Sequence, residues 1–143
     1  TSPLQLVEVR MAVEPHMVRL ATINATAKEI ARLNEIIEAL EKSGEDFDHF
    51  SRWDQHFHQC LADATKNPLM MSLYEQVNDV RGHSQWDAMK GKVLTAGRIE
   101  EYNGQHRALF DAIARRDVES AMNIITRHLD DARHDLLATP IVR

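Results

Sequence analysis

Residues 98–138 read RIEEYNGQHRALFDAIARRDVESAMNIITRHLDDARHDLLA, and this stretch decides the fold. Apolar side chains recur at helical spacing from Arg98 to Arg115 and, after a short break, from Val118 to about Ala138. A connection this short joins helices that lie side by side and run in opposite directions. The stretch therefore predicts an antiparallel helical hairpin.

The remaining residues continue the helical pattern, because the chain has only five Gly and four Pro and no segment alternates with period 2. Four earlier helices are predicted from start signals, which are, in order, Ser2-Pro3, the capping box Thr26-Ala27-Lys28-Glu29, the acids near Asp46, and Asn67-Pro68. The pattern of the fourth weakens near Ala88, and Gly91 and Gly97 are expected to bracket a loop before the hairpin. We predict an all-α fold, an antiparallel bundle of six to seven helices forming a single domain over residues 1–143.

Composition excludes several classes of protein. The chain has 143 residues, 43% hydrophobic and 27% charged, which suits one domain with a real core. Its net charge is −5 and it has no run of Lys or Arg, so this domain is not expected to grip nucleic acid itself. Cys60 is the one cysteine, so no intrachain disulfide can form, and we expect a core thiol in a cytoplasmic protein without membrane contact.

One candidate site begins with two residues of the third predicted helix. Asp54 and His58 are one turn apart and lie on the same apolar stripe as Phe57. Asp130 and His134 have the same spacing on the last helix, but they lie off its apolar stripe. Only the first pair is therefore expected to point inward.

Two more histidines fall on inward stripes of the hairpin. His106 lies 11 residues before Asp117 and His128 lies 11 after it, so both side chains should be level across the hairpin. With Asp54 and His58 they give three imidazoles and one carboxylate, a ligand set for one divalent transition metal: zinc first, nickel or manganese next. A single histidine on such a stripe is more often a core residue, and the inference depends on four ligands converging from three helices.

Asp54 and the remaining histidines also have interpretations that involve no metal. Asp54 has an alternative as the partner of Arg10 in a buried salt bridge. Five histidines are expected at the surface: His16, His49, His56, His83 and His134.

Arg10 lies on the apolar stripe of the first helix and needs an anion there. Asp54, Glu14 or the carboxylate of a bound ligand could supply it, and an Arg fork suits a carboxylate. Arg81 lies similarly on the fourth helix, and Asn103, one turn before His106, is expected to reach the same cavity. The three are predicted effector-binding residues. Trp86 is a weaker candidate for the mouth of the pocket, and a packed aromatic is its alternative reading.

Short motifs along nearly the whole chain resemble one family. They are Glu8-Val9-Arg10, Val13-Glu14, Asp54-Gln55-His56-Phe57-His58, Asn67-Pro68-Leu69, Gln105-His106-Arg107-Ala108, Ala112-Ile113-Ala114-Arg115-Arg116-Asp117, Ala121-Met122 and His128-Leu129. In order and separation they resemble the FCD domain, the C-terminal effector-binding domain of the FadR subfamily of GntR transcription regulators. The chain departs from the family at Gln105, where many members have Glu; this residue is not a ligand, so little consequence is expected.

The resemblance implies a helical bundle whose central cavity holds a metal at Asp54, His58, His106 and His128. It also implies a small carboxylate effector, such as a sugar acid, hydroxy acid or dicarboxylate, met by Arg10. Fatty-acyl-CoA is disfavoured, because sensors of that ligand lack the metal set. DNA would be bound only through an N-terminal winged helix-turn-helix outside this chain. We further expect a homodimer.

Three alternatives to a sensor remain open. A metal-dependent enzyme acting on a small carboxylate would use the open metal position to activate water, but the chain offers no spare general base, since Asp54 would be a ligand. A di-iron bundle would need Glu-x-x-His pairs, which do not occur in this sequence. A purely structural metal is disfavoured by Arg10 facing the same cavity. The expected reading is a sensor and not an enzyme.

Overall fold

The computed structural model describes residues 1–83 and 94–138. These residues form six α-helices: α1 Pro3–Asn24, α2 Ala27–Glu41, α3 Phe47–Ala64, α4 Pro68–Arg81, α5 Ala96–Ala114 and α6 Val118–Leu137. No strand occurs within these two ranges. The prediction of an all-α fold is confirmed.

The first two helices begin where their capping signals predict. The Ser2 side chain accepts a hydrogen bond from the backbone N–H of Gln5, and the Gln5 side chain accepts one from the backbone N–H of Ser2. Thr26 and Glu29 form the same reciprocal pair at the start of α2. Each pair satisfies N–H groups that a helix start leaves without partners.

The fifth helix begins earlier than the sequence predicts. Thr95 is its N-cap, and its hydroxyl accepts a hydrogen bond from the backbone N–H of Arg98. Gly97 therefore lies in the first helical turn rather than in a loop, because a Thr cap outweighs the weak preference of one Gly for turns. This prediction was wrong by two residues.

The fourth helix also differs from its prediction. It ends at Arg81, and Gly82 follows as its C-cap, whereas the apolar pattern extends toward Ala88. The predictions made for Ala88, Trp86 and Gly91 lie outside the described residues.

The first helix is central to the bundle. It packs along α6 and also contacts α3, α4 and α5, while α2 packs against α3 and α5. An interior is thereby enclosed by α1, α3, α5 and α6. Its fully buried apolar side chains include Met17, Phe57, Leu61, Ile113 and Ile125.

This central position buries charged residues of α1 along with apolar ones. Arg10, which the sequence places on the apolar stripe, is buried, and Glu14 is fully inaccessible. The apolar residues Val13 and Leu20 are only half-buried. A helix that touches four others buries a wide arc, so its charged residues must find partners within the interior.

Candidate metal centre

Three histidines from three helices meet in this interior. His58 of α3, His106 of α5 and His128 of α6 are all buried, and one ring nitrogen from each lies within 4.8 Å of the others. The ring centroids of His106 and His128 are 4.8 Å apart, so the two residues are level across the α5–α6 hairpin. The structure thus brings together the three histidines that the sequence singles out.

The Asp54 carboxylate lies against two of these three histidines. Its Oδ1 lies 3.2 Å from His58 Nε2 and 3.1 Å from His106 Nε2. Ligand atoms about 2.1 Å from an ion lie roughly 3.0 to 3.4 Å apart at octahedral or tetrahedral angles. These two separations fit a shared ion, and the Asp54 side chain is 16% exposed.

Several of these polar atoms are unsatisfied. Among the described residues, Asp54 Oδ1, His58 Nε2 and His106 Nε2 are buried and make no hydrogen bond of acceptable geometry. A buried polar atom without a partner costs about 1–3 kcal/mol. A divalent cation would satisfy all three at once, so the residues present fit a metal ion.

A buried carboxylate stands behind His58. Glu14 Oε1 lies 2.6 Å from His58 Nδ1, and Glu14 Oε2 accepts hydrogen bonds from Arg10 Nε at 2.5 Å and from the Tyr74 hydroxyl at 2.9 Å. Burial alone raises the pKa of the Glu14 carboxyl, but Arg10 and His58 outweigh it and hold that pKa well below its usual range. The sequence names Glu14 only as one possible partner of Arg10; its contact with His58 went unpredicted.

Arg81 joins the same network. Its Nη2 donates to the Tyr74 hydroxyl at 3.1 Å, and its Nη1 lies 3.6 Å from Asp54 Oδ2. Arg81 Nε and Nη1, and Arg10 Nη2, are buried N–H groups with no hydrogen-bond partner in the described part of the chain. Two guanidinium groups therefore belong to the network around the candidate ligands and have N–H groups without a hydrogen-bond partner among the described residues.

The pKa shifts of Asp54, His106 and His128 favour the forms that bind a metal, and that of His58 does not. Burial raises the pKa of Asp54, but His58 and His106 outweigh it and hold that pKa well below the usual range. Burial lowers the pKa of His106, and burial together with the other two imidazoles lowers the pKa of His128 strongly. Burial also lowers the pKa of His58, but Glu14 and Asp54 outweigh it and raise the pKa. The set thus offers a charged carboxylate and two readily neutral imidazoles, the forms that bind metal.

The structure does not bring Asn103 to this cluster. Its Nδ2 donates to the backbone oxygen of Leu40 at 2.8 Å, one of the last carbonyls of α2, which have no partner within that helix. Asn103 also lines a cleft of about 550 Å³ between α2 and α5, together with Glu41, Gly44, Glu45, Ala96, Ile99, Glu100, Gly104 and Arg107. None of the four predicted metal ligands lines this cleft, so the placement predicted for Asn103 was wrong.

The residues expected elsewhere are mostly at the surface. His16, His56, His83 and His134 are exposed, as is Asp130. His49 is instead half-buried, with its Nδ1 3.1 Å from Ser43 Oγ. Cys60 is half-buried against the core rather than fully inside it.

Gln105 also departs from expectation. Its side-chain oxygen lies 2.5 Å from His128 Nδ1, so this residue contacts a candidate ligand directly. From the sequence, little consequence is expected of Gln105 because it is not a ligand, and this contact with His128 is not foreseen.

Comparison with known proteins identifies the family. The model of the FCD domain matches residues 5–131. The chain belongs to the FCD domain family. This FCD domain is 25% identical over 136 residues to the Uxu operon regulator of Haemophilus influenzae, covering 92% of this chain and 50% of that protein. It is 28% identical over 127 residues to the transcriptional repressor NanR of Cronobacter sakazakii, covering 86% and 46%.

Solved structures share the fold of this FCD domain. Escherichia coli McbR/YncC superposes with a TM-score of 0.77 at 18% identity, over 89% of this chain and 60% of that one. Streptococcus agalactiae GntR gives a TM-score of 0.73 at 22% identity, over 92% and 57%. The chain spans about half the length of the curated relatives it matches. Those relatives are named as transcription regulators rather than enzymes, in line with the predicted non-enzymatic role.

No helix within the described residues is both long and apolar enough to span a membrane.

Proposed function

We propose that this domain is the effector-sensing half of a bacterial GntR-family transcription regulator, that it holds one divalent transition metal, and that a small organic acid binds beside the metal. One observation carries the proposal. His58, His106 and His128 converge, and the Asp54 carboxylate lies against the first two. Inner atoms of Asp54, His58 and His106 have no hydrogen-bond partner among the described residues, and neither do several guanidinium N–H groups of Arg10 and Arg81.

The set of donor atoms favours a divalent transition metal. Three imidazoles and a carboxylate suit zinc first, with nickel and manganese next. The four side chains project from three different helices. When bound as a five- or six-coordinate ion, the metal would supply a Lewis-acidic position for a ligand oxygen, and the partial exposure of the Asp54 side chain supports access from solvent.

The charges of the cluster favour an anionic ligand. Glu14 is engaged by Arg10, Tyr74 and His58, and the Asp54 carboxylate faces the imidazoles. The two carboxylates balance the two guanidinium groups, so a divalent ion would leave the pocket with excess positive charge. Charge-assisted hydrogen bonds from Arg to a carboxylate are among the strongest in proteins. A mono-, di- or tricarboxylate or a sugar acid therefore matches the pocket.

The first experiment tests the carboxylate anchor. The metal-loaded domain is titrated with citrate, succinate, acetate and gluconate, and with glucose as a neutral counterpart of gluconate. We expect at least one acid to bind and glucose not to. Arg10→Lys and Arg81→Lys keep the charge but lose the fork, and each should weaken that acid about 10- to 100-fold by calorimetry.

Arg107→Lys is the matched control, because Arg107 makes an exposed ion pair with Glu41 away from the histidines. It should bind the acid like the wild-type domain. Equal binding of glucose, or equal losses in all three Lys variants, would show that the buried guanidinium groups do not select a carboxylate.

The second experiment tests the regulatory half of the proposal. In the full-length regulator the acid should change affinity for operator DNA about 5- to 150-fold, because a ligand that prefers one arrangement of the bundle shifts the whole equilibrium. Fluorescence anisotropy with labelled operator measures this, and chain mass in solution tests the expected homodimer. An operator affinity that stays constant at saturating acid would argue against sensing.

A further inference from the structure

We propose that Gln105 and Asp131 act together as positioning residues for His128, fixing which of its ring nitrogens faces the metal site. This inference rests on the proposed metal, but its central claim concerns the metal-free protein. It assigns a role to two residues that are not ligands themselves.

The hydrogen bonds give the chain of contacts. Gln105 Nε2 donates to Asp131 Oδ2 at 2.7 Å, and Gln105 Oε1 lies 2.5 Å from His128 Nδ1. Gln105 directly precedes His106 on α5, and Asp131 lies one turn beyond His128 on α6. The contacts therefore tie together the two helices that carry two of the three histidines.

The chemistry of these groups fixes the direction of each bond. A carboxylate only accepts hydrogen bonds, so the amide NH₂ of Gln105 must face Asp131. The amide oxygen then faces His128, and an oxygen that only accepts requires Nδ1 to carry the hydrogen. A neutral imidazole has one N–H, so Nε2 of His128 is left with its lone pair free. That is the form in which a histidine binds a metal through Nε2.

His58 offers an instructive comparison. Its Nδ1 also faces an oxygen, but that oxygen belongs to the charged carboxylate of Glu14 at 2.6 Å. A carboxylate behind a ligand imidazole raises its basicity more than a neutral amide does. His128 is thus a candidate ligand whose Nδ1 is supported by a neutral amide, and Asp131 keeps that amide correctly oriented.

Three variants distinguish loss of the contact with His128 from a general loss of structure. Gln105→Leu removes the acceptor and should lower metal affinity about 10- to 100-fold. Asp131→Ala leaves the amide free to turn its NH₂ toward His128, which favours hydrogen on Nε2 and should also weaken the metal. Asp130→Ala is the matched control, since Asp130 is exposed and neighbours Asp131 on the same helix.

A double variant provides the rescue. Gln105→Glu alone would set two carboxylates against each other. Combined with Asp131→Asn, the Asn amide can donate to Glu at position 105, which still accepts from His128 Nδ1. We expect this double variant to bind metal at least as tightly as the wild-type domain, and Gln105→Glu alone to bind less tightly than the double variant.

Two measurements test the proposal, one of the His128 tautomer and one of the affinity for Zn²⁺. Long-range ¹H–¹⁵N NMR of the chelator-treated domain reports which His128 nitrogen carries hydrogen, with the signal assigned by its loss in His128→Gln. Competition of Zn²⁺ with a chromophoric chelator reports affinity. Circular dichroism melts without metal confirm that each variant folds.

The outcomes are distinguishable from failure of the metal proposal. Hydrogen on Nε2 of His128 in the wild-type domain would overturn the inference, whether or not metal binds. Hydrogen on Nδ1 that is lost in Gln105→Leu and Asp131→Ala, but kept in Asp130→Ala, supports it. If Zn²⁺ binds the wild type and Gln105→Leu equally, the claim that this contact serves the metal is wrong. If Zn²⁺ binds no variant and not the wild type, the metal proposal fails, and the NMR result alone decides whether Gln105 sets the tautomer.

Discussion

Replacing His106 or His128 with Ala is expected to abolish stable metal binding. Purified wild-type domain should carry about one divalent transition metal per chain, and each variant should carry almost none. The loss should exceed the 10- to 100-fold effect typical of residues that only support a ligand. Elemental analysis of protein prepared without chelator or acid measures the content directly.

The same variants should lose thermal stability for a defined reason. A ligand that binds only the folded state stabilises it by about 2.7 kcal/mol when its concentration is 100 times its dissociation constant. For a domain of this size that corresponds to roughly 10 °C in melting temperature. Adding EDTA should therefore lower the melting temperature of the wild type but leave His106→Ala and His128→Ala unchanged.

His134→Ala is the control for this series, because His134 is exposed on the same helix as His128. It should keep both the metal and the response to EDTA. Wild-type protein that lacks metal from the start, or an alanine series in which all variants keep it, would be incompatible with a metal centre at these histidines.

The metal-ligand candidates could be predicted because helical periodicity alone carries the information. Side chains on one stripe of a helix share a face, and equal distances from a short turn bring two histidines level. That reasoning needs no knowledge of how far each helix is rotated. It therefore succeeded for His58, His106 and His128, which the structure brings together.

Asn103 shows what helical periodicity cannot predict, namely which neighbouring helix a side chain meets. Three residues of an α-helix turn through about 300°, so Asn103 lies roughly 60° around α5 from His106. Whether that offset reaches the same cavity depends on where α2 lies. In the structure a carbonyl at the end of α2 takes the amide instead.

Glu14 and Gln105 illustrate a second limit of prediction from sequence spacing. Both are polar residues whose role depends on a particular atom of a histidine on another helix, at 2.6 Å for Glu14 and 2.5 Å for Gln105. Sequence spacing predicts faces, but not which ring nitrogen meets which oxygen. The buried position of Arg10 gave a signal for Glu14, since a guanidinium inside a protein needs an anion nearby.

Glu14→Ala is expected to destabilise the metal-free domain by about 3–5 kcal/mol, because it leaves the buried Arg10 guanidinium without its carboxylate. At this chain length the melting temperature should fall by roughly 10–15 °C. Chemical denaturation in EDTA measures the change without any contribution from a bound ion. Glu41→Ala is the control: its ion pair with Arg107 is exposed, and such pairs contribute only about 0–1 kcal/mol.

A double variant, Arg10→Met with Glu14→Leu, separates the two explanations of such a loss. If the loss comes from an unpaired buried charge, removing both charges together should recover most of the stability, since apolar replacements of buried ion pairs are often neutral or stabilising. If Glu14 acts mainly by holding Tyr74 and His58, the double variant should remain as unstable as Glu14→Ala. The double variant should in either case bind a carboxylate poorly, because the Arg10 guanidinium is gone. A single Glu14→Ala loss no larger than that of Glu41→Ala would mean that the Arg10–Glu14 pair does not stabilise the fold.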